Sequence, residues 1–296
     1  MSEIFSWLKK AAIEKDKSYL QPPVRSLQNS EGRDFETIIS DNGMDPSGQN
    51  VVRSKIEIPH EARFELAAAE RRILSVLDPL TLVGEQYRVL RARLEQLQKQ
   101  KGTKTLLISS SIPQEGKTFT ACCLAGVFAQ EPGRRVLLID ADMRKPQVGR
   151  SLGVSFDAQT AGLSQVLRGE KSAEQVLLSS ATADLYLLPA GPVPRDPAEL
   201  LSSPSLEMTI KRMAQVFDWV VIDSPPVIAL ADATLMAPLC DSVLLVVRTG
   251  RTPSKMVRES VHRLGKEKIC GVVMNRSRPA RSSYYYYNYY HKARRP

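Results

Sequence analysis

Six runs in the chain are almost continuously apolar: KTLLISSS (104–111), RRVLLIDAD (134–142), ADLYLLPAG (183–191), FDWVVIDSPP (217–226), DSVLLVVRTG (241–250) and KICGVVMNRS (268–277). A strand with one wet face alternates apolar and polar residues. These runs do not alternate, so they predict parallel strands covered on both faces. Helical patterns fall between them, over 117–130, 161–168, 204–216, 232–238 and 253–265. A longer helix is predicted ahead of the first strand, where Leu82, Val83, Tyr87, Leu90, Leu94 and Leu97 recur at helical intervals. Strand–helix alternation of this kind predicts an α/β fold with a doubly wound, mostly parallel sheet. Such sheets bind ligands at the carboxyl ends of their strands.

Both ends of the chain break this pattern. Within the first 75 residues, QPPVRSLQNSEGRD and SDNGMDPSGQN carry Pro, Gly, Ser and Asn with little apolar material, which is linker composition. Ahead of them Ile4, Leu8, Ala11 and Ala12 share one helical face, with Phe5, Trp7, Lys9 and Lys10 nearby. That segment reads either as an amphipathic helix for a membrane surface or partner groove, or as a frayed terminal helix. At the other end, SSYYYYNYYHKARRP (282–296) holds Tyr284, Tyr285, Tyr286, Tyr287, Tyr289 and Tyr290, with basic residues and no acid. It lacks any apolar period, so a packed helix or strand is not expected there. The phenols are either low-complexity decoration or substrates, and the second reading requires a phosphate donor site elsewhere in the chain. The expected organisation is a largely linker-like extension over 1–78, a nucleotide-binding domain over 79–280 and a disordered tyrosine-rich tail over 281–296.

Composition narrows the setting. With 296 residues, 43% hydrophobic and 25% charged, the chain can bury one sizeable α/β core with appendages. No stretch approaches the ~20 apolar residues of a membrane span, and the N-terminus lacks the features of a secretory signal. A cytoplasmic protein is expected. Cys122, Cys123, Cys240 and Cys270 have no CxxC spacing and lie in apolar surroundings, so they read as reduced core residues. The net charge of +9 favours an anionic partner, whether nucleotide, nucleic acid or a membrane face.

The chemistry sits where the strands end. After TLLIS, the segment Ser110 to Thr118 reads SSIPQEGKT and leads into a helix. A phosphate loop has the form GxxxxGK[ST]. Here Ser111 stands at the first glycine position, and Gly116, Lys117 and Thr118 are intact. Backbone N–H groups and the helix N-terminus hold the anion. The expected nucleotide-binding set is Ser111, Gln114, Glu115, Gly116, Lys117, Thr118 and Phe119. Lys117 should reach the β- and γ-phosphates, and the Thr118 hydroxyl should ligate Mg²⁺. Two later strands end in carboxylates, VLLID-AD at Asp140 and Asp142 and WVVID at Asp223. Such tips are usual ligands of Mg²⁺, directly or through water. Magnesium needs only one or two of them, so Asp140 or Asp142 is available to accept a proton from an attacking hydroxyl. Arg248, with Thr249, and Asn275 end two further strands. Arg248 is a candidate lining residue. The Asn275 amide reads either as a contact to the adenine edge or as a turn former.

At these residues the chain resembles the bacterial tyrosine kinases that govern capsule and exopolysaccharide synthesis. The resemblance covers roughly 80–296 and rests on SSSIPQEGKT as Walker A, LLIDADMRKP as Walker A′, VVIDSPP as Walker B and the C-terminal tyrosine cluster. EQYRVLR adds Glu85, Arg88 and Arg91, matching the ExxRxxR helix through which such kinases form rings. GPVPRDPAELLSS (191–203) is similar to a family segment, with Asp196 where Asn is more usual, and Gln114 departs from the frequent PGEGK form. The resemblance implies a P-loop tyrosine kinase using ATP and Mg²⁺. It implies phosphorylation of the six tail tyrosines, largely in trans within a homo-oligomeric ring. It implies Asp140 near metal and acceptor hydroxyl, Asp142 assisting, and Asp223 on the metal through water. It also implies a separate transmembrane activator of the polysaccharide co-polymerase type, a cognate tyrosine phosphatase, and residence at the inner face of the cell membrane, with no nucleic acid partner.

Partitioning and septum-positioning ATPases share these motifs and bind DNA or membrane. They carry a signature lysine immediately after the first residue of the loop, where this chain has Ile112. A structural adaptor with vestigial hydrolysis is the third reading. The intact Lys117, Thr118, Asp140 and Asp223 argue against it.

Overall fold

A computed structural model describes residues 63–156 and 160–277. The expected N-terminal amphipathic helix and the tyrosine cluster lie outside the described residues. The described chain forms one sheet of eight strands: β1 (Arg63–Phe64), β2 (Thr105–Ser110), β3 (Val136–Asp140), β4 (Leu178–Ser180), β5 (Leu185–Leu188), β6 (Trp219–Asp223), β7 (Ser242–Arg248) and β8 (Ile269–Asn275). Their spatial order is β1-β4-β5-β3-β6-β2-β7-β8. Neighbours run parallel except at the β4–β5 pair. The doubly wound, mostly parallel sheet expected from the uninterrupted apolar runs is therefore the one present.

Ten α-helices cover the sheet among the described residues: α1 (Arg71–Leu77), α2 (Leu82–Lys101), α3 (Lys117–Phe128), α4 (Val148–Ser151), α5 (Leu163–Leu167), α6 (Ala173–Val176), α7 (Pro197–Leu201), α8 (Pro204–Val216), α9 (Asp232–Met236) and α10 (Ser254–Leu264). Local chemistry sets their ends. Thr81 caps α2 by accepting the Gly84 N–H, and Gly102 closes it in the left-handed conformation. Pro197 and Pro204 occupy first-turn positions of α7 and α8, where a missing N–H costs nothing.

Successive strand residues point to opposite faces, so each apolar run feeds two cores. Leu107, Leu137, Ile139, Val220, Ile222 and Leu245 pack with residues of α5 and α7–α10 on one face. Leu106, Ile108, Leu138, Val221, Leu244 and Val246 pack with α1, α2 and α3 on the other. In the second layer Phe128 stacks on Trp219 with centroids 4.5 Å apart. Cys122, Cys123 and Cys240 are buried free thiols. Burial pushes the Cys240 thiol up to about 12, so it stays protonated.

The segment expected to be largely linker-like up to 78 holds packed elements among its described residues: β1 pairs with β4, and α1 buries Ile73 and Val76 under α3. A seven-residue helix that buries two apolar side chains is too short to display a period. The short edge elements β1, β4, α4 and α6 also escaped the pattern for want of length.

Candidate active site

The strand order builds the site. β6 lies between β2 and β3, so the loop after β2 meets the tips of β3 and β6. Asp140 and Asp223 are register partners across the β3–β6 pair. The phosphate loop (110–118) ends in α3, whose first turn carries Lys117 and Thr118. Lys117 Nζ donates to Asp142 Oδ2 at 2.8 Å and to Thr118 Oγ1 at 3.3 Å, and lies 3.8 Å from Asp223 Oδ2. Thr118 Oγ1 donates to Asp223 Oδ2 at 2.7 Å. Asp140 is held differently. Its Oδ2 accepts the Gln147 and Val148 N–H groups at the start of α4, and its Oδ1 accepts the Asp142 N–H.

Two carboxylates thus meet one ammonium with a third beside them, and Asp140, Asp142 and Asp223 are each at most 6% exposed. Burial raises the Asp140 pKa, the charge on Asp223 raises it further, and the Val148 N–H opposes both. Burial likewise raises Asp223, against the pull of Lys117 and the Thr118 hydroxyl. For Lys117, burial works against the charge, but Asp223 and Asp142 more than offset it, so its pKa also rises. The pocket is short of positive charge.

Magnesium fits this deficit. Asp223 Oδ1 is buried and has no hydrogen-bond partner among the described residues, although its other oxygen is bonded. The Thr118 hydroxyl sits beside it. No group of three or more His, Cys, Asp or Glu among the described residues forms a ready-made metal cage. A nucleotide-linked Mg²⁺ needs none, because waters and phosphate oxygens complete its shell.

The loop backbone is shaped by residues around it. Gln114 has φ 65° and Gly116 φ 97°. A Cβ at Gly116 would lie 2.1 Å from Asn275 Nδ2, so glycine is required there. Between them the Glu115 side chain is buried and accepts the Ile112 N–H at 2.8 Å, the Arg248 N–H at 3.0 Å and the Thr252 hydroxyl. Ser111 is buried, its hydroxyl without a partner among the described residues. Its carbonyl accepts the Ile228 N–H from the loop after β6.

Some expected site residues have other duties. The Asn275 amide donates to the Glu115 carbonyl at 2.7 Å and its oxygen accepts the Arg276 N–H, so it braces the loop where an adenine contact was one reading. The Phe119 ring packs edge-on against Tyr87 of α2, which leaves only its backbone to face a phosphate. Arg248 meets the loop through its main chain. Arg88 donates to Glu85 at 2.9 Å and to the Pro79 carbonyl, and Arg91 bonds the Val127 carbonyl and pairs with Glu131 and Glu95. The expected assembly flank is therefore also a joint between α2 and α3.

Two features went unread in the sequence. Arg144 makes a bidentate pair with buried Asp232, at 2.8 and 3.1 Å, tying the segment after β3 to α9. A cavity of about 660 Å³ opens beside Asp140, walled by Pro146, Val154, Pro189 and Pro192, with Phe156 and Val193 exposed at its rim. Residues 88 positions apart carry no local signal of pairing.

Comparison with known proteins agrees with this geometry. Residues 103–264 match the family model described as an AAA domain. The chain is 37% identical to the tyrosine-protein kinase YwqD of Bacillus subtilis (strain 168), over 74% of this chain and 91% of that one. It is 34% identical to the succinoglycan biosynthesis transport protein ExoP of Rhizobium meliloti (strain 1021), over 67% of this chain but only 25% of that much longer protein. Among solved structures, the kinase domain of the Escherichia coli tyrosine kinase ETK superposes with a TM-score of 0.62 at 27% identity, covering 77% of this chain and 88% of that one. Similarity along nearly the whole of one such kinase places this chain in the family of bacterial tyrosine-protein kinases, and its activity is that of a protein-tyrosine kinase.

Proposed function

We propose that this kinase transfers the ATP γ-phosphoryl group to the tyrosines of its own C-terminal cluster, Tyr284–Tyr287, Tyr289 and Tyr290, and that this modification regulates exopolysaccharide or capsule synthesis. The observation that carries the reading is the position of Asp140, which borders both the Lys117–Asp223 cluster and the cavity of about 660 Å³. The apolar rim at Phe156 and Val193 suits an aromatic side chain. The loop N–H groups and Lys117 hold the phosphates, with the ammonium released from Asp142 onto the γ-phosphate oxygens. Asp140, held by three backbone N–H groups, orients the tyrosine hydroxyl and takes its proton. Thr118, Asp223 and Asp140 would hold Mg²⁺, which supplies neutralisation of phosphate charge.

Transfer is mainly between subunits of a ring. Seven residue steps separate Ser277 from Tyr284, ~25 Å at full extension, a length that suits either its own site or a neighbour's. The tail of a Lys117→Met chain, mixed with a chain lacking 284–290, should gain phosphate by intact-mass spectrometry. A blank tail would mean transfer in cis, and a wild-type chain that gains no mass with Mg-ATP would end the autokinase reading. The similarity to the succinoglycan biosynthesis transport protein ExoP supports a role in polysaccharide synthesis; the proposal includes a separate transmembrane co-polymerase-type activator and a cognate phosphatase. No helix among the described residues is long and apolar enough to cross a membrane.

Glu85, Arg88 and Arg91 belong to the proposed ring interface. Arg88→Ala with Arg91→Ala should yield monomers by light scattering. Because Arg91 also joins α2 to α3, the same variant should lose ~1–3 kcal/mol of stability. An unchanged oligomer that merely melts earlier would assign these residues to the subunit alone.

A further inference from the structure

The phosphate loop is held from behind by a clamp outside the transfer machinery. We propose that Glu115 and Thr252 are positioning residues that set the loop's nucleotide-binding conformation, with Asn275 as their brace. This rests on the reading that the loop binds ATP. The Glu115 side chain is 1% exposed, and both of its oxygens accept hydrogen bonds. One reaches the Ile112 N–H within the loop; the other takes the Arg248 N–H at the end of β7 and the Thr252 hydroxyl just beyond it. The Glu115 carbonyl accepts the amide of Asn275, the last residue of β8. A single loop residue is thereby fastened to the tips of two strands.

The fastening lies where the backbone most needs it. Gln114 and Gly116, on either side of Glu115, both have positive φ, and only the second is a glycine. A non-glycine residue persists in that region when its surroundings over-determine it. With the loop so held, the N–H groups from 114 to 118 stay oriented before nucleotide arrives, which is pre-organisation for an anion. The Ile112 N–H, turned to Glu115, is withheld from the phosphates. The carboxylate form is required, since all three side-chain partners are donors. An amide would turn its own N–H₂ toward at least one of them.

The clamp acts on binding, because Lys117, Thr118 and the three aspartates are placed by α3, β3 and β6. Glu115→Gln should therefore raise the KM for ATP and the dissociation constant of a fluorescent N-methylanthraniloyl-ATP roughly tenfold, with kcat changed by less than about twofold. Thr252→Val should shift both constants the same way by a smaller factor, and Thr252→Ser, which keeps the hydroxyl, should restore wild-type values. If Glu115→Gln does not fold, the Thr252 pair decides. Variants that bind the analogue as tightly as wild type, or that lose kcat at constant KM, overturn the clamp alone. A wild-type protein that does not bind the analogue overturns the nucleotide reading and the clamp with it.

Discussion

Lys117→Met should lower phosphoryl transfer to tyrosine by roughly 10²–10³-fold, the scale of removing one pre-organised charge-stabilising donor from a buried site. Methionine keeps approximate length and packing but cannot meet charge on the migrating phosphoryl group. The ammonium is also the nearest cation to Asp142 and Asp223, so its loss has a second effect. Asp140 and Asp223 already have pKa values raised above the unfolded range. A carboxyl raised in the folded state binds more protons there than in the unfolded chain. Stability then falls as pH rises through the folded pKa and recovers below it. Without Lys117 those pKa values rise further. The variant's thermal stability should lag wild type more at about pH 9 than at about pH 6. Transfer within a few-fold of wild type would remove Lys117 from the chemistry, and a pH-independent deficit would show that the carboxylates are not its main partners.

The second large effect is a trade between stability and function. Asp223→Asn removes one of three clustered buried charges. The amide oxygen can still accept the Thr118 hydroxyl, and the larger of the two charges repelling Asp140 is gone, leaving that of Asp142. The nucleotide-free protein should melt about 2–4 °C higher, equivalent to ~1 kcal/mol for a body of this size. Transfer should fall by more than about 10²-fold, since the buried oxygen without a protein partner is the proposed metal-facing atom. Calorimetry and a phosphotyrosine assay on one preparation check both halves. A variant that melts below wild type would show that Asp223 is held mainly by its bonds to Lys117 and Thr118. One that melts higher yet transfers normally would take Asp223 off the reaction path.

What could be read from the sequence is what is encoded locally. Uninterrupted apolar runs such as VLLID and WVVID are buried on both faces, and residue type alone marks the acidic tips at Asp140 and Asp223. The GKT triplet between a strand and a helix is likewise local, as are the limits of α8, set by Pro204 and its apolar stripe. Contacts between distant segments could not be read in this way. Thr252 meets Glu115 across 137 residues, Arg144 meets Asp232 across 88, and Arg91 reaches the Val127 carbonyl across 36. Which polar group meets which depends on strand order and on the crossovers that put β6 between β2 and β3. A buried donor or acceptor takes whatever partner the packed neighbours supply, because leaving it unpaired costs ~1–3 kcal/mol. The direction of the Asn275 amide was settled in this way. Its position at a strand tip followed from composition, and its task of holding the phosphate loop followed only from the carbonyl of Glu115 lying 2.7 Å away.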